Sequence, residues 1–144
     1  MRISESSRDR IKAIDKPTLL IVDDERNFAE SLQLAIEDVF TVSVAGSLEI
    51  ARKTLTYCLP AAILLDMRLP DGEGIELLNE LKNSGRLPVV IVMTAFATVD
   101  NFIRMQNEGA VDYFAKPLDI SKLKRVLRTE LEKRSLQGLS RHGS

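Results

Sequence analysis

The 144-residue sequence lacks most of the devices that staple, anchor or steer a chain. It has one cysteine, Cys58, so no disulfide can form within it, which fits a reducing compartment and a cytoplasmic location. Cys58 has no histidine near it and reads as a small apolar residue rather than a nucleophile. No apolar run approaches the roughly 20 residues that a membrane-spanning helix needs. The opening MRISESSRDRIKAIDK has no apolar segment like that of a secretory leader. Neither sign of charge dominates: the net charge is −1, which argues against nucleic-acid binding by this chain. There is no internal repeat, no low-complexity tract, no GxxxxGK[ST] phosphate loop and no helix-turn-helix after residue 134.

What is present is alternation. Five short apolar runs, at Thr18–Val22, Thr41–Ala45, 61–65, 89–93 and 111–115, are separated by longer amphipathic stretches. Three of the runs are almost continuously apolar, as strands covered on both faces are. Between them, Phe28, Leu32, Ala35, Ile36 and Val39 recur at helical spacing, predicting a helix over 28–39. Further helices are expected over Leu48–Tyr57 with Ser47 as N-cap, over Gly74–Asn83 stopped by Gly85, and over 99–108 stopped by Gly109. A last helix starts at a cap, Asp119 or Ser121, and runs to about residue 134. Five βα units joined right-handed make an α/β fold, a doubly wound parallel sheet in a three-layer sandwich. Residues 1–16 read as an N-terminal extension, 17–134 as the domain, and 135–144 as a tail or linker in which His142 is inert.

The chemistry sits where the apolar runs stop. Asp23 and Asp24 follow the first run, Asp66 the third, Thr94 the fourth and Lys116 the fifth. Ligands of open α/β sheets bind beyond the carboxyl ends of the strands. Singly, each residue has a plain reading: an aspartate as turn former or cap, a threonine as β-former, a lysine as solvated charge. Together they form a kit for one reaction. Clustered carboxylates repel one another until a hard divalent cation such as Mg²⁺ joins them. One aspartate can then serve as nucleophile and form an acyl phosphate, whose oxygens need a cation and a hydroxyl.

The motifs IVDDE at 21–25, LLDMRLPDGEG at 64–74, VIVMTA at 90–95 and DYFAKPLD at 112–119 resemble, in sequence and in order, the receiver domain of two-component response regulators. The resemblance covers about residues 17–134, and MTAFATVDNFIRMQNEGAVDYFAKPLD looks most like receivers that precede a σ54-type activator ATPase. It implies the flavodoxin-like strand order 2-1-3-4-5. It also implies Asp66 as phosphoacceptor, Asp23, Asp24, Asp66 and the Arg68 backbone carbonyl as Mg²⁺ ligands, and Lys116 as the phosphoryl-binding cation before a cis Lys116–Pro117 bond. Thr94 and Tyr113 become the switch pair, and Arg68 and Phe96 the positions that tune phosphoryl lifetime.

The implied partners are a sensor histidine kinase or phosphotransfer protein and, after phosphorylation, a second copy of the chain. The output surface would be the fourth helix, fifth strand and fifth helix. On that helix Phe102 and Met105 are expected in the core, the alternative being an exposed pair that suits a partner. The chain is either a stand-alone receiver or the receiver of a longer regulator, and in neither case an enzyme acting on other molecules. An aspartyl-phosphate hydrolase would want a DxD pattern at the first strand, where this sequence has adjacent acids. A flavin site would want a phosphate loop that DDERN would repel. A receiver working without phosphate is disfavoured because all five chemical positions are filled.

Overall fold

The computed structural model describes residues 16–143, with side chains as far as Gln137. Its centre is one parallel sheet of β1 (Thr18–Val22), β2 (Thr41–Ala45), β3 (Ala62–Asp66), β4 (Val89–Thr94) and β5 (Asp112–Ala115), in the order β2-β1-β3-β4-β5. The helices are α1 (Arg26–Ile36), α2 (Leu48–Tyr57), α3 (Gly74–Asn83), α4 (Val99–Asn107) and α5 (Ile120–Gly143). This is the expected flavodoxin-like sandwich, with the expected order.

Strand alternation sends neighbouring side chains to opposite faces. Leu20, Val22, Ile63, Leu65, Val90 and Val92 pack with Leu48 and Ala51 of α2 and with Leu77 and Leu78 of α3. Leu19, Ile21, Leu64 and Ile91 pack instead with Ala29, Leu32 and Ile36 of α1 and with Leu123 and Leu127 of α5. Every residue of β3 and β4 is buried, which is why those runs show no polar alternation. Each fully buried Leu or Ile contributes about 1.5–3 kcal/mol, so the centre of the sheet is rigid and its strand ends are fixed platforms.

The starts of α2, α4 and α5 follow cap chemistry. Ser47 Oγ accepts from Ile50 N–H at 3.1 Å, as its sequence position suggests. Asp119, rather than Ser121, caps α5 by accepting from Lys122 N–H. Thr98 caps α4. Gly85 follows α3 at φ +73°, a conformation that disfavours side chains bearing Cβ.

Two helix ends and the exposure of one residue differ from expectation. Helix α1 stops at Ile36 because Val39 and Phe40 both turn back to the Ile36 carbonyl; their apolar side chains still pack on the core, which extends the pattern past the helix. Helix α5 runs to Gly143 rather than ending near Arg134. Nothing between Glu130 and Gln137 breaks a helix, and Gly138 alone costs only about 1 kcal/mol. Cys58, read as apolar, is exposed at the C-terminal end of α2. Residues 1–15 of the expected N-terminal extension lie outside the described residues, and so does the side chain of His142, whose backbone falls within α5.

The segment between β3 and α3 is tightly held. Arg68–Leu69 and Gly72–Glu73 form a two-stranded antiparallel ribbon, and Gly74 N–H donates to the Met67 carbonyl at 2.7 Å. Asp71 reaches from this segment to the start of α2, where its two carboxylate oxygens accept from Leu48 and Glu49 N–H, each at 2.9 Å. Those two backbone donors hold the Asp71 carboxyl below the usual aspartate range. Its stabilising contribution is therefore complete above the unfolded pKa of about 3.9 and disappears as pH falls through the lower folded value. Asp71→Ala should lower the melting temperature at neutral pH by roughly 2–6 °C. The difference from the parent protein should shrink below about pH 4 in a pH series of thermal melts.

Candidate functional site

The carboxyl ends of β1, β3, β4 and β5 converge on one cluster. Asp23 directly follows β1 and is almost fully buried; its Oδ1 accepts from Glu25 N–H at 2.9 Å, and its own N–H donates to the Ala45 carbonyl. Asp24 is exposed beside it. Asp66 is the last residue of β3, buried to 9% exposure, with one oxygen 3.4 Å from Arg68 N–H. Carboxylate oxygens of Asp23, Asp24 and Asp66 all lie within 4.8 Å of one another.

Lys116, just beyond β5, supplies the cation. Its Nζ donates to Asp23 Oδ2 at 2.7 Å and to Asp66 Oδ2 at 3.4 Å, with Glu25 Oε1 at 3.9 Å. Burial and the neighbouring Asp23 charge raise the Asp66 carboxyl above its ordinary value, while Lys116 pulls it back. Burial works to lower the Lys116 ammonium, but hydrogen bonding and charge from Asp23 and Asp66 outweigh it and leave the lysine raised. The three clustered carboxylates still outnumber the one lysine, and they are hard oxygen donors of the kind a divalent cation takes. The Lys116–Pro117 bond is cis, as expected.

Thr94 ends β4, 3% exposed, and its Oγ1 accepts from Phe96 N–H at 3.0 Å rather than bonding Asp66. Its carbonyl takes the Lys116 N–H at 2.8 Å. Tyr113 on β5 donates its hydroxyl to the Phe96 carbonyl at 3.3 Å and stands edge-on to Phe102, with ring centroids 5.9 Å apart. Above these, the Arg68 guanidinium lies 5.2 Å from the Phe96 ring centroid, and the two border a small cavity that reaches Thr94.

The Phe102/Met105 pair is divided: Met105 is buried, whereas Phe102 is partly exposed in company with Phe96, Val99 and Ile103. Every residue singled out from the motifs is thus in or beside the cluster. Sequence reasoning missed two members. Phe28 places its ring 4.3 Å from Lys116 Nζ. Gly74 packs so closely that a Cβ there would overlap the Asp66 carbonyl. Phe28 offered only a helical repeat as a signal, and Gly74 read as no more than a helix start.

Comparison with known proteins bears on the family and the fold. The family described as the response regulator receiver domain matches residues 19–128. The regulatory protein AtoC of Escherichia coli (strain K12) is 32% identical over 125 residues, which are 86% of this chain and 27% of that protein. The chain thus spans well under half of that relative's length. Sporulation initiation phosphotransferase F of Bacillus subtilis (strain 168) is 32% identical over 123 residues, covering 81% of this chain and 95% of that protein. The solution structure of the beryllofluoride-activated NtrC4 receiver domain dimer superposes with a TM-score of 0.75 at 27% identity, covering 81% of this chain and 97% of that one.

Lys116→Met keeps the stem and removes the charge, leaving buried Asp23 without its closest cation. In metal-free buffer this substitution should cost about 3 kcal/mol of stability in urea denaturation.

Proposed function

The chain belongs to the response regulator receiver domain family, and on that premise we propose that Asp66 is the residue it phosphorylates. The observation that carries this is the ammonium of Lys116 lying between the carboxylates of Asp23 and Asp66 at the mouth of the sheet. A carboxylate oxygen of Asp66 attacks the phosphorus of the donor. The new O–P bond forms as the donor's bond to phosphorus breaks, and the leaving atom keeps the electron pair. Lys116 then pairs with an oxygen of the transferred group, and the Thr94 hydroxyl gives up Phe96 N–H to bond another.

Asp23, Asp24, Asp66 and the Arg68 carbonyl are the proposed ligands of Mg²⁺, which when bound would neutralise charge on the acids and on the phosphoryl oxygens. Tyr113 follows Thr94 by leaving the Phe96 carbonyl and turning inward. The added charge of roughly −2 supplies the energy difference between the two states.

The proposed donor is a histidine kinase or phosphotransfer protein. The exposed apolar group of Phe96, Val99, Phe102 and Ile103 at the start of α4 is the proposed seat of a second copy of the chain after phosphorylation, a reading supported by the NtrC4 dimer. We place the work in the cytoplasm; among the described residues no helix is long and apolar enough to cross a membrane. The chain's proposed catalysis is confined to its own phosphorylation and dephosphorylation, and residues 17–134 are the proposed signalling unit.

Incubation with Mg²⁺ and a small phosphodonor should add one phosphoryl group by mass spectrometry. Asp66→Asn or removal of Mg²⁺ should abolish the addition; steady turnover of a phosphate ester would instead favour a hydrolase. The Arg68–Phe96 stack borders the cavity that reaches Thr94, and its proposed role is to shield the phosphoryl group, so Arg68→Ala and Phe96→Ala should each speed loss of that group several-fold. Unchanged decay rates would remove both residues from that role.

A further inference from the structure

Among the contacts made by Lys116, the one with an aromatic ring has no place in the reaction just described. The Phe28 ring centroid lies 4.3 Å from Nζ, inside the range in which an aromatic face attracts a cation. Phe28 is half-buried and packs on the α1/α5 side of the core, so the core fixes the ring. The lysine side chain is only 10% exposed, and little water competes for its charge.

We propose that Phe28 is a positioning residue, whose ring face holds the Lys116 ammonium where an incoming phosphoryl group can take it. The proposal rests on the phosphoacceptor reading above. Its physical basis is the difference between the partners of Nζ. Asp23 and Asp66 bind it through directed hydrogen bonds, at 2.7 and 3.4 Å. Once Asp66 carries a phosphoryl group, the ammonium must exchange a carboxylate oxygen for a phosphoryl oxygen. The ring attracts the charge without fixing an N–H direction, so its hold survives that exchange and limits how far the flexible lysine stem can wander. Glu25, whose oxygen lies at 3.9 Å, has a side chain that is 69% exposed to solvent and cannot confine it in this way.

The test keeps the shape of the ring and weakens its electrostatics. Phenylalanine bearing one, two or three fluorines is incorporated at position 28 of the full chain. Beryllofluoride affinity is measured in saturating Mg²⁺, Mg²⁺ affinity is measured alone, and each protein is melted. The expected result is a stepwise loss of beryllofluoride affinity, about fivefold for three fluorines, with melting temperature and Mg²⁺ affinity unmoved. Phe28→Leu should lose at least as much, and Phe28→Tyr should retain the parent affinity. A flat fluorine series, or a loss that follows melting temperature or Mg²⁺ affinity, would overturn the proposal and leave the phosphoacceptor reading standing. Failure of the unsubstituted protein to bind beryllofluoride would overturn both.

Discussion

A carboxylate taken out of water must have a cation, and Asp23 is such a carboxylate. Its side chain is fully buried, and Lys116 is its short-range partner. Much of the architecture answers to that pair. In the observed order β5 is separated from β3 by β4, and from β1 by β4 and β3. At usual spacings that is roughly 10 Å to β3 and roughly 14 Å to β1. Only a long side chain aimed across the mouth of the sheet can bridge such a gap. The backbone meets this demand by tying Lys116 N–H to the Thr94 carbonyl, which seats the lysine level with the strand ends it serves. Among the described residues no buried side-chain polar atom is left without a partner. Asp23 and Asp66 are therefore crowded yet hydrogen-bonded, an arrangement that a newly arrived phosphoryl group can reorganise without first breaking the core.

The legible part of this protein was the part governed by burial. A strand covered on both faces must be apolar until it emerges, so the residue at which β1, β3 or β4 turns polar marks the mouth of the sheet. Asp23, Asp66 and Thr94 could be found that way from sequence, and so could the strand order once the motifs were recognised. What escaped depends on chain reversal and close approach. Phe28 resembled one more core position on α1, because periodicity records which face a residue lies on but not which foreign side chain crosses its ring. Asp71 caps α2 from a segment far along the chain, and a cap supplied from elsewhere leaves no local signature. Val39 kept the helical pattern alive after α1 had ended, because a turn can bury apolar residues as well as a helix does.

The segment after Asp66 joins the chemistry to the rest of the fold. Asp71 pins it to α2, the Gly74 backbone presses against Asp66, and Arg104 of α4 approaches Glu73 at 3.6 Å. On the far side, Asn79 of α3 donates to Glu108 at 2.8 Å and Lys82 donates to the Asn107 carbonyl at 3.1 Å. Helix α4 therefore rests on α3 largely through polar contacts at its end, with Met105 as its single buried side chain. Polar contacts at a solvent boundary are weak individually, which makes α4 the least firmly seated of the five helices.

Helix α5 is rooted differently. The Arg134 guanidinium donates to the Leu87 and Pro88 carbonyls, at 2.6 and 3.2 Å, clasping the helix to the rim of the sheet opposite the acids. Beyond that clasp the helix continues to Gly143 as a rod about 13 Å long. Any tilt of the helix about that clasp would be magnified along it: about 5° at Arg134 would displace Gly143 by about 1 Å. The clasp of α5 and the chemical mouth thus lie at opposite ends of one sheet.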